Sequence, residues 1–150
     1  MQRSERVGDL MCGIIDAWCV QERGVMPAIP ARSSSAMTVR IFTPTQGALD
    51  SWVPFSGITN FLGEGVVEFP YFENIGDFKA AVSNVPLDNF LYQIFITVDI
   101  QKAGLYTFYI YSGNGALLYV DDSLVVDNDG QHNPQTASGT MTLNSSRHKV

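Results

Sequence analysis

The chain has little of what would tie it to a redox cycle, a nucleic acid or a bilayer. Cysteine occurs twice in 150 residues, at Cys12 and Cys19. Their Cys-x6-Cys spacing comes without the two further ligands that tetrahedral zinc needs, so both read as ordinary thiols. Basic residues are also scarce: nine Lys and Arg stand against fifteen Asp and Glu, a net charge of −6. Such a balance offers no footprint for a phosphate backbone, and no nucleic-acid partner is expected. No apolar run approaches the roughly 20 residues that span a bilayer, which argues against membrane insertion by a helix. Catalytic signatures are missing too. There is no Gly-x-Ser-x-Gly, His-Glu-x-x-His or phosphate loop, and a general base would need a nucleophile or metal beside it. The expectation is a protein that is not an enzyme.

What remains is a globular composition, 45% hydrophobic and 16% charged, in a length that suits one domain burying roughly two-thirds of its unfolded surface. Its features are unevenly placed. Sixteen of the seventeen aromatics lie after residue 40, whereas five of the nine basic residues and both cysteines lie at or before it. Residues 1–38 therefore read as a leader or linker, disordered and mobile, ahead of a folded body over 39–150. The leader's basic start (Arg3, Arg6) and apolar stretch from Leu10 to Val20 depart from a secretory signal because Glu5, Asp9 and Asp16 interrupt them. Met26 to Ser35 holds two prolines and three serines, as a linker would.

Within the body the period is two. Ile94, Ile96, Val98 and Ile100 alternate with Gln93, Phe95, Thr97 and Asp99, which predicts one half-buried strand over Gln93 to Ile100. Leu105 to Tyr111 follows with aromatics on both faces, as in a strand central in its sheet and covered on both sides. After the tight turn Ser112 to Gly115, Ala116 to Val120 and Leu124 to Asp127 are expected to pair as a hairpin around Asp121-Asp122-Ser123. Asp127 to Ala137 reads as a polar loop, and Gly139 to Leu143 as a strand with Gly139, Met141 and Leu143 on one face. Val39 to Phe42 is predicted as an edge strand. Trp52, Phe55, Phe61, Phe69, Tyr71 and Phe72 are spaced too irregularly for one element and read as a covering segment that plugs the core, a sugar-stacking platform being the alternative. No long helix is expected after residue 40. Together these features predict an all-β fold, an antiparallel β-sandwich or barrel.

The succession Gly104-x-Tyr-Thr-Phe, Ser112-x-x-Gly, Leu118-Tyr-Val-Asp, Leu124-Val-Val-Asp-Asn, Gly130-x-His and Ser138-Gly-Thr-Met-Thr-Leu, before Arg147-His148, resembles the PA-fourteen domain. This is the β-sandwich module of the anthrax protective antigen, related to flocculin-type adhesin domains. The resemblance spans residues 91–149, is compatible with 39–90 and does not reach 1–38. It implies a non-catalytic carbohydrate-binding or recognition module on an extracellular or cell-surface protein, with glycans or glycoproteins as partners. The alternative is a structural spacer that has lost its site. In the adhesins two adjacent aspartates of a Ser-Asp-Asp-Gly turn hold calcium; here the turn reads Ser112-Gly113-Asn114-Gly115, so no cofactor is expected. Family members also continue into at least one further strand, which suggests a fragment of a larger polypeptide with an incomplete C-terminus. The residues expected to meet a ligand are Gly113, Asn114, Asp127, Asn128, Asp129 and His132. Asp121 and Asp122 are assigned to turn chemistry, and Asn144-Ser145-Ser146 fits a glycosylation sequon.

Overall fold

Alternation of large apolar residues with smaller polar ones, bounded by Gly, Asn and Asp, builds strands throughout the computed structural model, which describes residues 16–21, 37–45, 59–67, 74–87 and 89–150. In chain order these form β1 (Asp16–Gln21), β2 (Met37–Pro44), β3 (Thr59–Val67), α1 (Ile75–Ala81), β4 (Leu91–Phe95), β5 (Thr97–Asp99), β6 (Gly104–Ser112), β7 (Ala116–Val120), β8 (Ser123–Asn128), β9 (Gln135–Leu143) and β10 (Arg147–Lys149). All pairings are antiparallel: β1-β6-β9, β3-β2-β4, β5 with β10, and β7 with β8. The all-β, antiparallel architecture expected from the sequence is the one observed.

The main core forms where β6 meets the β7–β8 hairpin. Tyr106, Phe108 and Ile110 from β6, Leu118 and Val120 from β7, Val126 from β8 and Leu143 from β9 are all buried. β6 is central, between β1 and β9. Its second face is not fully covered as expected: Thr107, Tyr109 and Tyr111 are half-buried and Leu105 is exposed. The hairpin turns where Asp121 and Asp122 sit, at φ +47° and +66°, the two left-handed positions of a type I′ turn, which Asp tolerates better than most residues. Ala137, Gly139, Met141 and Leu143 share the inward face of β9 while the residues between them are exposed. That strand starts at Gln135, so the polar loop expected over Asp127 to Ala137 shrinks to Asp129–Pro134.

A second core lies on the β3-β2-β4 sheet, where Val39 and Ile41 of β2 meet Phe78 of α1 together with Val82, Val85 and Phe90. Three expectations are corrected here. β2 is not an edge strand, because β3 and β4 pair along its two sides. The expected strand over Gln93 to Ile100 is two strands: β4 pairs with β2, and beyond Ile96 β5 pairs with β10. The chain changes sheets at Ile96, whose N–H and C=O exchange 2.8 Å hydrogen bonds with Val150. Continuous alternation hid the switch, since period two reports which face is apolar and not which strand lies alongside. Finally, Phe61 is not a core plug. A register shift beside the Ile41/Phe42 step of the β2–β3 pair leaves Phe61 56% exposed, against Phe42 at a centroid distance of 5.5 Å. Trp52, Phe55, Phe69, Tyr71 and Phe72 lie outside the described residues.

The helix α1 went unpredicted, although a capping box marks its start: Asn74 Oδ1 accepts from the Gly76 N–H and Asp77 Oδ2 from the Asn74 N–H. Its C-terminal end rides close on β3, where a Cβ at Gly65 would come within 2.0 Å of the Ala81 carbonyl oxygen. Met37 already belongs to β2, and Asp16–Gln21 pairs as β1 with Tyr106–Tyr111 of β6, supplying hydrogen-bond partners to an edge that would otherwise stay open. The rest of the expected leader, residues 1–15 and 22–36, lies outside the described residues.

Candidate functional site

Two loops meet at one end of the hairpin. β6 ends at Ser112 and turns through Gly113–Gly115 into β7, while β8 returns to the same end because Ala116 pairs with Asn128. The junction is built on Asn128, whose side chain is 4% exposed. Its Nδ2 donates to Ser112 Oγ at 2.7 Å and its Oδ1 accepts from Gln135 Nε2 at 2.9 Å. Ser112 and Gln135 are register partners across β6 and β9, so one buried amide ties the hairpin to the main sheet.

The loop after β8 is held by local polar chemistry. Asp127 Oδ1 accepts from the Asp129 N–H at 3.0 Å, and Asp129 Oδ1 from the Gly130 N–H at 2.7 Å. His132 spans the loop, with Nε2 3.0 Å from the Asn128 carbonyl oxygen and Nδ1 2.9 Å from that of Asn133. The preceding turn sits directly against this loop: a Cβ at Gly115 would lie 2.8 Å from Asp129 Oδ1 and 3.0 Å from the Gly130 nitrogen. Only a glycine fits without a shift.

The six predicted residues are thus brought to one end, but they divide by role. Asn128 and His132 brace the loop. Asp127 and Asp129 are exposed, and Gly113 and Asn114 are half-buried on the neighbouring turn. Ser112 and Gln135 were missed, and nothing local in the sequence marks them, since their role exists only once three strands converge. Replacing Asn128 by Ala is expected to cost about 2 kcal/mol, because it strands the hydroxyl of Ser112 inside the fold. In urea denaturation, Ser112→Ala and Asn128→Ala combined should cost less than the sum of the two by about 1 kcal/mol; strict additivity would show that the bridge carries no energy.

Calcium takes roughly six to eight oxygens with carboxylates among them. The Gly113-Asn114 turn supplies no carboxylate, and Asp127 and Asp129 each commit an oxygen to a backbone N–H. Among the described residues no three His, Cys, Asp or Glu side chains converge.

An antiparallel all-β module, with two packed loops presenting polar side chains at one end, is the class that fold and site define. Residues 73–149, just over half of the chain, match the profile of the PA14 domain, and the chain belongs to the PA14 domain family. The match takes in α1 and everything that follows it up to Lys149. No curated protein and no solved structure matches the chain. PA14 domains are found in carbohydrate-binding and adhesin proteins, and typically in extracellular or cell-surface ones.

Proposed function

We propose that this chain is a non-catalytic recognition module of an extracellular or cell-surface protein, binding glycans without calcium through the turn Gly113–Gly115 and the end of β8 with the loop that follows it, Asp127–His132. The observation that carries the reading is the bracing of those loops by Asn128 and by the Gly115–Asp129 contact. A surface ordered before the ligand arrives loses less entropy on binding. The exposed carboxylates of Asp127 and Asp129, and the amide of Asn114 on the neighbouring turn, match the donor and acceptor pattern of sugar hydroxyls. Family membership supports the ligand class.

The test is a glycan array run with and without EDTA, paired with thermal melting in calcium. Binding is expected to survive EDTA and to be lost in the Asp127→Ala, Asp129→Ala double variant. A calcium site with a Kd of about 0.1 mM would add about 1.4 kcal/mol of stability at about 1 mM calcium, and no such gain is expected. Silence on every glycan from a cooperatively melting protein would overturn the proposal in favour of a structural spacer.

A further inference from the structure

At the other end of the hairpin, five strand residues away from the candidate site, the Asp121-Asp122 turn holds β10. β10 is only three residues long, yet it is gripped from two sides. On one side it pairs with β5, extended by the Ile96–Val150 bonds and by Ile100 N–H donating to the Ser146 carbonyl at 2.9 Å. On the other, Asp121 N–H donates to the Lys149 carbonyl at 2.9 Å and Lys149 N–H to Asp121 Oδ1 at 3.0 Å. Between them lies His148, 7% exposed, although its neighbours Arg147 and Lys149 are both exposed.

The ring of His148 faces acceptors at both nitrogens. Nδ1 is 2.6 Å from Asp121 Oδ2, and Nε2 is 3.1 Å from the Asn144 carbonyl oxygen. A carboxylate and a carbonyl can only accept, so both contacts are hydrogen bonds only when both nitrogens carry protons. Ser146 Oγ is also 3.2 Å from Nε2, and the three side chains outline a Ser-His-Asp relay. The proton inventory argues against that chemistry. An Nε2 that donates to Asn144 has no lone pair with which to accept the proton of a serine, and the Ser146 hydroxyl itself donates to Asn144 Oδ1.

We propose that His148 and Asp121 form a pH-operated latch: the protonated ring clamps β10 between β5 and the β7–β8 turn, and deprotonation, which gives up the Nε2 bond to Asn144 and the charge pairing with Asp121, loosens β10 on the β5 edge. The charged groups on the elements packed against the ring are Asp121 and Asp122 on the turn, Arg147 and Lys149 on β10, and Asp99 on β5, which pairs with Arg147 at 3.0 Å. In support, the hydrogen bond to Asp121, then that to Asn144, raises the His148 pKa above the ordinary 6.5 against the opposing effect of burial. The hydrogen bonds from His148 and from the Lys149 N–H hold Asp121 below the ordinary 3.8. The signs define a window. A raised histidine stabilises fully below its unfolded pKa and loses that contribution as pH climbs through the folded one; a lowered aspartate does so fully above its unfolded pKa and loses it as pH falls through the folded one. The latch is therefore tightest in mildly acidic solution and opens towards alkaline pH.

The test is NMR on the full chain from about pH 5 to about pH 9, following the histidine rings and amide exchange corrected for its intrinsic pH dependence. His148→Gln assigns the ring signal. Protection at Ile96, Ile100 and Asp121 is expected to fall about tenfold for each unit by which the His148 pKa stands above its ordinary value, while β6 amides keep theirs. Asp121→Asn preserves the left-handed turn, which Asn tolerates, and should abolish the step. A wild-type ring titrating at or below the ordinary histidine value, or pH-independent protection at those three amides, would overturn the latch, as would an unchanged step in Asp121→Asn.

Discussion

Replacement of Phe78 by alanine is expected to destabilise the chain by about 4 kcal/mol, the usual cost of emptying a buried phenylalanine site. Phe78 is 2% exposed and is the one buried residue of α1. Its ring meets Phe90 edge-on at 5.2 Å and Tyr92 at 4.8 Å, over a floor made by Val39 and Ile41 of the central strand β2. A helix of seven residues has no stability of its own, because nucleation costs more than so few hydrogen bonds return. Its docking therefore depends on this side chain, and the alanine variant loses both the ring's burial and the anchor. Phe78→Leu keeps most of the apolar volume and should lose only about 1.5 kcal/mol. Urea denaturation of the two variants checks the claim. An alanine variant no weaker than the leucine one would show that α1 is held by something else.

The second large effect is expected at Gly139, where a methyl group would meet backbone rather than side chain. A Cβ there would stand 1.7 Å from the Val125 carbonyl oxygen and 2.7 Å from its carbon. Val125 is the extra residue of a bulge in β8, between the pairs Leu118–Val126 and Tyr119–Leu124. The bulge turns that peptide onto β9 just where Gly139 pairs with Phe108 of β6. No rotamer change relieves such an overlap, so the hairpin must lift from the sheet, at a cost of about 3 kcal/mol. Alanine at the exposed neighbours Ser138 and Thr140 should change stability by no more than about 0.5 kcal/mol. A difference of about 3 kcal/mol lowers the melting temperature of a domain this size by on the order of 10 °C, well within reach of calorimetry. An unchanged melting temperature in Gly139→Ala would rule out the close approach.

Both variants concern packing that local patterns announce poorly, and the same divide runs through the candidate site. The β7–β8 hairpin was legible because its information is local: two Asp residues able to take positive φ stand between two apolar runs. The loops carrying Asn114, Asp129 and His132 were legible for a related reason, being polar segments at strand ends. Which of their residues face solvent was not. Asn128 looks like one more loop amide until Ser112 and Gln135 arrive from two other strands and bury it. His148 carries no local signal of burial, being flanked by the exposed Arg147 and Lys149, and its partner Asp121 is 27 residues away.

Alternation and turn chemistry by themselves determined that the described body is all-β, where β6 to β8 run, and that polar segments join the strand ends, because period two and left-handed turns are properties of a few consecutive residues. Tertiary structure alone decided that the strand splits at Ile96, that Asp16–Gln21 joins the main sheet, that Asn128 is a brace and His148 a clamp. Those outcomes depend on hydrogen bonds between segments far apart in the chain, and a backbone or side-chain group commits to such a partner only when the fold has removed water from between them.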